Sequence, residues 1–433
     1  MTSVAIVGAG IAGVTTAYTL LERGYDVTIL DRHRYPAMET SFANGGQLSA
    51  SNAEVWNNIP TLLKGLRWMF RRDAPLLMNP MPSWHKYSWL AEFVGHIRNY
   101  RRNTVETARL AIAARRELFR IAEAEKIAFD LEKRGILHIY HDKPSFEAGL
   151  SVNALLQQGG LDRHAVTFDE IRQIEPALQG KYFGGFYTPS DSTGDIHKFT
   201  RGLADACLRR GARFINDASV EAITSTNDKV LIHWEHRAAS TEEDGTTSNR
   251  RSMIEADRVI ICAGVESRRL ASMLGDRVNV YPVKGYSITV NLETPESQAA
   301  SPQVSLLDEA AKIVTSRLGQ GRFRVAGTAE FNGFNRDIRA DRIGPLTRWV
   351  RQHFPQVDTS KVVPWAGLRP MMPDMMPRVR AGRSPSVFYN TGHGHLGWTL
   401  SAATAQLVAQ LVDASVPGRP ATRRFPPKCE AHS

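Results

Sequence analysis

The first thirty residues change hydrophobic period twice. Val4-Ala5-Ile6-Val7 is an apolar run of the length a buried parallel strand needs. Ile11 to Arg23 then repeats its apolar positions at helical spacing and stops at Gly24, and Tyr25 to Leu30 returns to a strand. Strand, helix and strand in that order predict a βαβ unit and the start of a doubly wound sheet. Farther along, Glu106 to Lys126 reads as a long amphipathic helix and Gly135 to Tyr140 as a strand. His197 to Arg210 is another helix, ahead of Arg213-Phe214-Ile215 and a strand pair at Val220 to Ile223 and Val230 to Trp234. Arg237 to Ser252 is polar, aperiodic and rich in Gly, Ser and Thr, which predicts an exposed hairpin extension. Asp257 to Gly264 (DRVIICAG) is a further buried strand that ends in a small-residue turn. From Tyr281 to Trp365, β-rich runs alternate with one helix at Pro345 to Phe354. The chain closes on a strand at Ser386 to Asn390, a Gly/His-rich turn and an apolar helix from Ser401 to Val412.

Length and composition narrow the class. A chain of 433 residues has room for two or three domains, and 42% hydrophobic with 23% charged residues excludes a disordered, collagenous or coiled-coil protein. The three cysteines, Cys207, Cys262 and Cys429, stand far apart in no CxxC or Cys/His spacing, so neither a disulfide framework nor a metal site is expected. The N-terminal apolar run lacks a basic flank and a cleavage pattern, and no apolar run reaches 18 residues. A cytoplasmic protein is expected, with contact at the inner face of the cell membrane left open. The net charge of +10 asks for an acidic partner, ligand or surface.

Gly8-Ala9-Gly10-Ile11-Ala12-Gly13 follows the first strand and opens the first helix. Gly8 permits the turn, Gly10 lets a pyrophosphate approach the amides at the helix N-terminus, and Gly13 lets helix and strand pack closely. Asp31 closes the second strand, where a carboxylate accepts from a ribose hydroxyl; Arg32 follows it. The fingerprint alone serves NAD or FAD. Its position at the start of the chain, an interleaved second domain and the Gly-rich return near the C-terminus favour FAD.

Four separated segments then resemble the signature segments of bacterial D-amino-acid dehydrogenases, within the FAD-dependent DAO superfamily of glycine, sarcosine and D-amino-acid oxidases. They are Glu39 to Ser49 (ETSFANGGQLS), Pro282 to Ser287 (PVKGYS), Gly367 to Met371 (GLRPM) and Asn390 to Thr399 (NTGHGHLGWT). The resemblance implies an α/β plus α+β chain. An FAD-binding Rossmann-like domain (residues 1–50, 190–275 and 378–420) is interleaved with an antiparallel-sheet substrate domain (51–189 and 276–377). It also implies oxidation of a D-amino acid by hydride transfer from Cα to flavin N5, with electrons passed to a quinone or another acceptor.

On that basis Ser41, Asn44, Gly45, Gly46, Gln47 and Leu48 are expected along the flavin, with Val220, Ala263 and Gly264. Gly394, His395, Leu396, Gly397, Trp398 and Thr399 would stabilise negative charge at the flavin's N1–C2=O edge through backbone N–H groups and a helix dipole. No Cys or His stands in Thr40 to Ser49, and no Cys stands near Thr391 to Thr399, so the flavin is expected to be non-covalent. Relatives place an arginine that pairs with the substrate carboxylate where Arg369 stands, and guanidinium geometry suits that task. Tyr286 is a second candidate, as a hydroxyl over the carboxylate or a pocket wall. His395, where relatives usually have Thr, is a third candidate at the pocket.

Two departures from the family bear on the substrate. Ala311 replaces a common tyrosine and Met375-Met376 replace Gly-Thr, which predicts an enlarged pocket and a substrate larger or less usual than D-alanine. The charge is also concentrated: Lys64 to Arg116 holds eleven basic residues against three acidic, interleaved with Trp68, Trp84, Trp89 and Phe93. That pattern fits either a membrane-docking segment or a cover over the active site. An oxygen-using glycine or sarcosine-type oxidase acting on N-substituted amino acids remains an alternative, as does a non-catalytic basic flavoprotein; no nucleic-acid motif is present.

Overall fold

The computed structural model describes residues 1–68, 74–226, 228–236, 240–241, 247–248 and 251–419. Two large sheets organise it. The first has six strands in the order Arg378–Ala381, Val387–Thr391, Arg258–Ile261, Ser3–Val7, Asp26–Leu30, Arg213–Ile215. All neighbours are parallel except the first pair. A parallel sheet is covered on both faces, and the alternation along Ser3–Val7 shows how. Val4 and Ile6 pack under the helices Ile11–Glu22, Ile196–Arg209 and Gly397–Ala414. Ala5 and Val7 face a three-stranded antiparallel sheet of Ala218–Ser225, Val230–His236 and Arg251–Ala256.

The second sheet runs Val362–Met371, Tyr281–Asn291, Arg322–Phe331, Ile313–Leu318, Ser305–Asp308, Ile136–Tyr140, Gly184–Thr188, His164–Val166, with Leu76–Met78 beside the end of Arg322–Phe331. It is mainly antiparallel, with parallel pairings at Ser305–Asp308 and at Leu76–Met78. Leu346, Trp349 and Val350 of the helix Ala340–His353 bury one face against Ile288, Val290, Phe323 and Val325. The other face looks toward the first sheet, and a cleft of about 690 Å³ opens where the two meet.

Several elements differ from expectation for local reasons. The helix expected from Glu106 begins at Tyr100, because the buried stripe in its first turns is Asn103, Thr104 and Thr107, which carry no hydrophobic signal. The helix expected from Ser401 begins at Gly397, a residue that reads as a breaker, so Trp398 and Thr399 belong to its first turn. Pro345 lies inside the helix Ala340–His353 and does not open it. Within the expected extension from Arg237 to Ser252, residues 240–241 and 247–248 pair antiparallel, and 237–239, 242–246 and 249–250 lie outside the described residues.

Candidate active site

The Gly-rich turn carries three different constraints. Gly8 has φ +110°, and a Cβ there would lie 2.6 Å from the carbonyl oxygen of Cys262. A Cβ on Gly13 would lie 1.8 Å from the oxygen of Gly8, so the turn and helix touch backbone to backbone. A Cβ on Gly10 would meet only Ser41 Oγ, at 3.7 Å, and would otherwise project into open space. Gly10 is the N-cap of Ile11–Glu22 with no side-chain cap, and the first turn holds no acidic residue. The helix therefore offers to the cleft a positive end that no carboxylate of its own first turn balances. Asp31 accepts from the amides of Ala9 (2.6 Å) and His33 (2.9 Å). Burial pushes its carboxyl above the ordinary value, and those two amides oppose the shift. Arg32 pairs with Glu39 and with Glu266 at 3.2 Å, so its charge is already balanced by two carboxylates.

The loop from Thr40 to Ser49 runs between the two sheets. Gly45 offers its carbonyl to Ser316 Oγ (2.6 Å), Asn44 offers its carbonyl to Arg324 (3.0 Å), and Gln47 donates to Ser305 Oγ (2.8 Å). Ser41 Oγ accepts from the amide of Ile11 at 3.1 Å. The second uncapped helix start, Leu396 before Gly397–Ala414, faces the same cleft, after Gly392 and Gly394 turn the chain with φ of +74° and +61°.

Of the residues expected at the site, Gly8, Gly10, Ile11, Ala12, Asp31, Arg32, Ser41, Asn44, Gly45, Gly46, Gln47, Val220, Ala263, Gly264 and the run Gly394 to Thr399 all line the cleft, as do Arg369 and Tyr286. Gly13 and Leu48 do not: Gly13 is packed against Gly8, and the Leu48 side chain lies in the apolar core with Ile196 and Trp398.

Arg369 is partly buried on the strand Val362–Met371. Its guanidinium lies over Gly285 and donates to the carbonyl of Thr328 at 3.1 Å, and among the described residues no carboxylate pairs with it. Burial pushes its pKa down to about 10, so it remains charged at neutral pH. The hydroxyl of Tyr286 donates to Glu330 Oε2 at 2.5 Å, and its ring packs into the core under Ala340–His353, so the expectation of a hydroxyl over the carboxylate or a pocket wall is corrected: on this strand the neighbouring Gly285 is the residue that faces Arg369. His395 stacks on Trp56 (ring centroids 4.9 Å apart, planes at 16°) and donates Nε2–H to the carbonyl of Asn52 at 3.2 Å. Burial pushes its pKa down to about 4, so it is neutral at pH 7.

A charged wall went unread in the sequence. Glu309 and Lys312 pair with each other and face the cleft. Glu309 Oε1 also accepts from His138 Nδ1 (3.1 Å), whose Nε2 meets Ser51 Oγ at 3.0 Å. Burial works against the Glu309 charge, but Lys312 and His138 outweigh it and hold the carboxyl below its usual range. Glu54, Tyr140 and Arg163 line the same wall. The signal lay in Asp308: its Oδ1 accepts from the amides of Ala310 and Ala311, which fixes the turn that carries Glu309 and Lys312.

A scan of protein families matches residues 3–411 to DAO, FAD dependent oxidoreductase. The chain belongs to the DAO family. It is 61% identical over 417 residues to D-amino acid dehydrogenase 3 of Mesorhizobium japonicum, covering 96% of this chain and 98% of the relative. It is 38% identical over 428 residues to a D-amino acid dehydrogenase of Paramagnetospirillum magneticum, covering 96% and 95%. Among solved structures, glycine oxidase from Geobacillus kaustophilus aligns with TM-score 0.72 at 19% identity (98% and 100% covered). L-proline dehydrogenase from P. horikoshii aligns with TM-score 0.72 at 14% identity (97% and 95% covered). These two likenesses speak to the DAO fold alone.

The cofactor of a DAO protein is FAD, and the residues present fit it. The Gly10 cradle, the starts of the two helices and the part-buried Asp31 form one continuous lining, with the Thr40 to Ser49 loop between them. The expected enlargement of the pocket is corrected. Ala311 packs against the core under Ala340–His353, Met375 and Met376 pack with Trp89 and Tyr281, and none of the three lines the cleft.

Proposed function

We propose that the chain oxidises a D-amino acid at Cα to an imine, which hydrolyses to a 2-oxo acid and ammonia. Arg369 carries this reading: a charged guanidinium with no carboxylate partner among the described residues, facing a cleft that also holds the nucleotide fingerprint. FAD held by the Gly10 turn and the Thr40 to Ser49 loop would supply the hydride acceptor for Cα. Arg369 holds the substrate carboxylate through paired N–H groups and so fixes Cα. The ring of Trp56, stacked on His395, walls the chamber, and neutral His395 adds no charge that would repel a substrate amine. Leu76, Met78 and Phe331 bring apolar surface that limits water. The two dehydrogenase relatives support the D-hand, since the shared fold also serves an L-proline dehydrogenase. A dye-linked assay over D-amino acids tests this reading: the native enzyme turns over, and Arg369→Ala raises KM at least a hundredfold. Turnover unaffected by Arg369→Ala refutes it.

The electron acceptor is proposed to be a quinone reached at a membrane surface. No helix among the described residues is long and apolar enough to cross a membrane. Ile59, Leu63, Met81 and Trp84 are 59%, 53%, 69% and 81% exposed, on segments whose inner faces line the cleft. Part of the basic excess is internal, since Lys86 donates to two backbone carbonyls and Arg115 pairs with Asp191 at 2.7 Å. Arg71 and Arg72 lie outside the described residues. Co-sedimentation with anionic vesicles at low salt, lost in a Trp84→Ser and Ile59→Ser double variant, supports the contact. Hydrogen peroxide formed in proportion to substrate, with no dye reduction, would instead indicate an oxidase.

A further inference from the structure

We infer that the substrate side chain carries a hydrogen-bond donor, and that Glu54 reads it. The inference rests on the proposed oxidation of a D-amino acid and names which members of that class the cleft selects.

Glu54 lines the cleft two residues before Trp56, the ring stacked on His395. Its Oε1 accepts from Tyr100 Oη at 2.7 Å and from Asn58 Nδ2 at 3.3 Å, which fixes the carboxylate plane. Its Oε2 takes no hydrogen bond from a described residue, and burial pushes the carboxyl above its ordinary value, so a donor at Oε2 would favour the charged form that burial opposes. No cation lies within ion-pair distance of it among the described residues, although Lys312 and Arg163 act on it at longer range. The one nearby ammonium, Lys312, is already paired with Glu309. Glu309 in turn is held by His138, so that pair is fixed and does not swing across to Glu54.

The chamber's order follows from shared neighbours. The turn Gly394–Leu396 packs against the strand that carries Arg369, His395 in that turn stacks on Trp56, and Glu54 precedes Trp56 by two residues. Arg369, His395, Trp56 and Glu54 thus line one cleft, with the His395–Trp56 stack linking the Arg369 strand to the segment that carries Glu54. A carboxylate held by Arg369 leaves the substrate side chain to extend along that stack toward Glu54. An aliphatic side chain filling this end would strip water from Oε2 and return nothing, whereas an O–H or N–H replaces the lost water bond. A polar group that has an unmet partner discriminates more strongly than an apolar pocket wall can.

The test uses the FAD-loaded enzyme and near-isosteric pairs: D-threonine with D-valine, D-asparagine with D-leucine, and D-glutamine with D-methionine. The donor-bearing member of each pair is expected to give kcat/KM at least tenfold higher, mostly through KM. Glu54→Leu should collapse that ratio to about one, and Glu54→Gln, which keeps an acceptor without the charge, should leave an intermediate ratio. Flavin absorbance and thermal midpoint report that each variant is folded. A native ratio of one or below overturns the inference, as does a ratio unchanged in Glu54→Leu. If no D-amino acid reduces the flavin, the oxidation itself is wrong; if all reduce it without a donor preference, only the role of Glu54 fails.

Discussion

Arg369 reaches the carbonyl of Thr328 by passing over the bare Cα of Gly285. The three residues stand on three neighbouring strands, and the ladder slips between them. Lys284 faces Glu330 and Tyr286 faces Gly327, so Thr328 and Ala329 both stand opposite Gly285 as a bulge. The bulge turns the Thr328 carbonyl toward the guanidinium. A Cβ on Gly285 would lie 2.3 Å from Arg369 Nη2, so the guanidinium would have to leave its place over Gly285. Gly285→Ala is therefore expected to raise KM for the amino acid at least tenfold with flavin absorbance retained. In an Arg369→Ala background the same change should add nothing, as steady-state kinetics of the double variant will read.

Thr328 is β-branched yet has φ +59°, and its buried hydroxyl has no hydrogen-bond partner. Both features cost stability. Thr328→Gly keeps the carbonyl and relieves both, so KM should stay within twofold. Stability should be unchanged or up by as much as about 2 kcal/mol after glycine's greater unfolded-state freedom is subtracted. Urea unfolding measures it; a loss of stability contradicts the strain.

Gly10 and Gly13 separate binding from folding. Gly10 has ordinary φ of −73° and open space, so Gly10→Ala should leave the apoprotein's thermal midpoint unchanged while weakening FAD about tenfold or more. Gly13→Ala drives a methyl into the Gly8 carbonyl and should lower the midpoint of the apoprotein itself. Calorimetry of the stripped protein and flavin titration read the two effects separately.

His393 is buried, its Nε2 meets Thr404 Oγ1 at 2.9 Å, and burial pushes its pKa down to about 4 from an ordinary 6.5. The folded state therefore binds fewer protons than the unfolded one between those values. Its contribution is fully present above about pH 6.5, falls as pH drops, and levels off below about 4, on the order of 3 kcal/mol in all. His395 acts in the same direction. Thermal midpoints of native protein and His393→Gln between pH 7.5 and 4 should converge as the pH falls.

The nucleotide end was legible because its constraints are local: Gly8, Gly10, Gly13 and Asp31 each act through backbone within one βαβ unit. The charged wall was not. Glu54, His138, Arg163, Glu309 and Lys312 come from four separated stretches, and only the sheet pairing of Ser305–Asp308 with Ile136–Tyr140 brings His138 beside Glu309. Ala311 misled for a related reason. In a turn pinned by Asp308, adjacent residues point to opposite sides, so Lys312 enters the cleft and Ala311 enters the core. Tyr286 shows the limit of residue type, since its hydroxyl is directed by Glu330 from the next strand.

Anaerobic mixing of the FAD-loaded enzyme with paired D- and L-amino acids, followed by flavin absorbance, tests the central claim most directly. D-enantiomers should bleach the flavin at least a hundredfold faster than their L-counterparts, and Arg369→Ala should lose that bleaching while keeping its flavin. Equal bleaching by both hands, or none by the D-series, would contradict it.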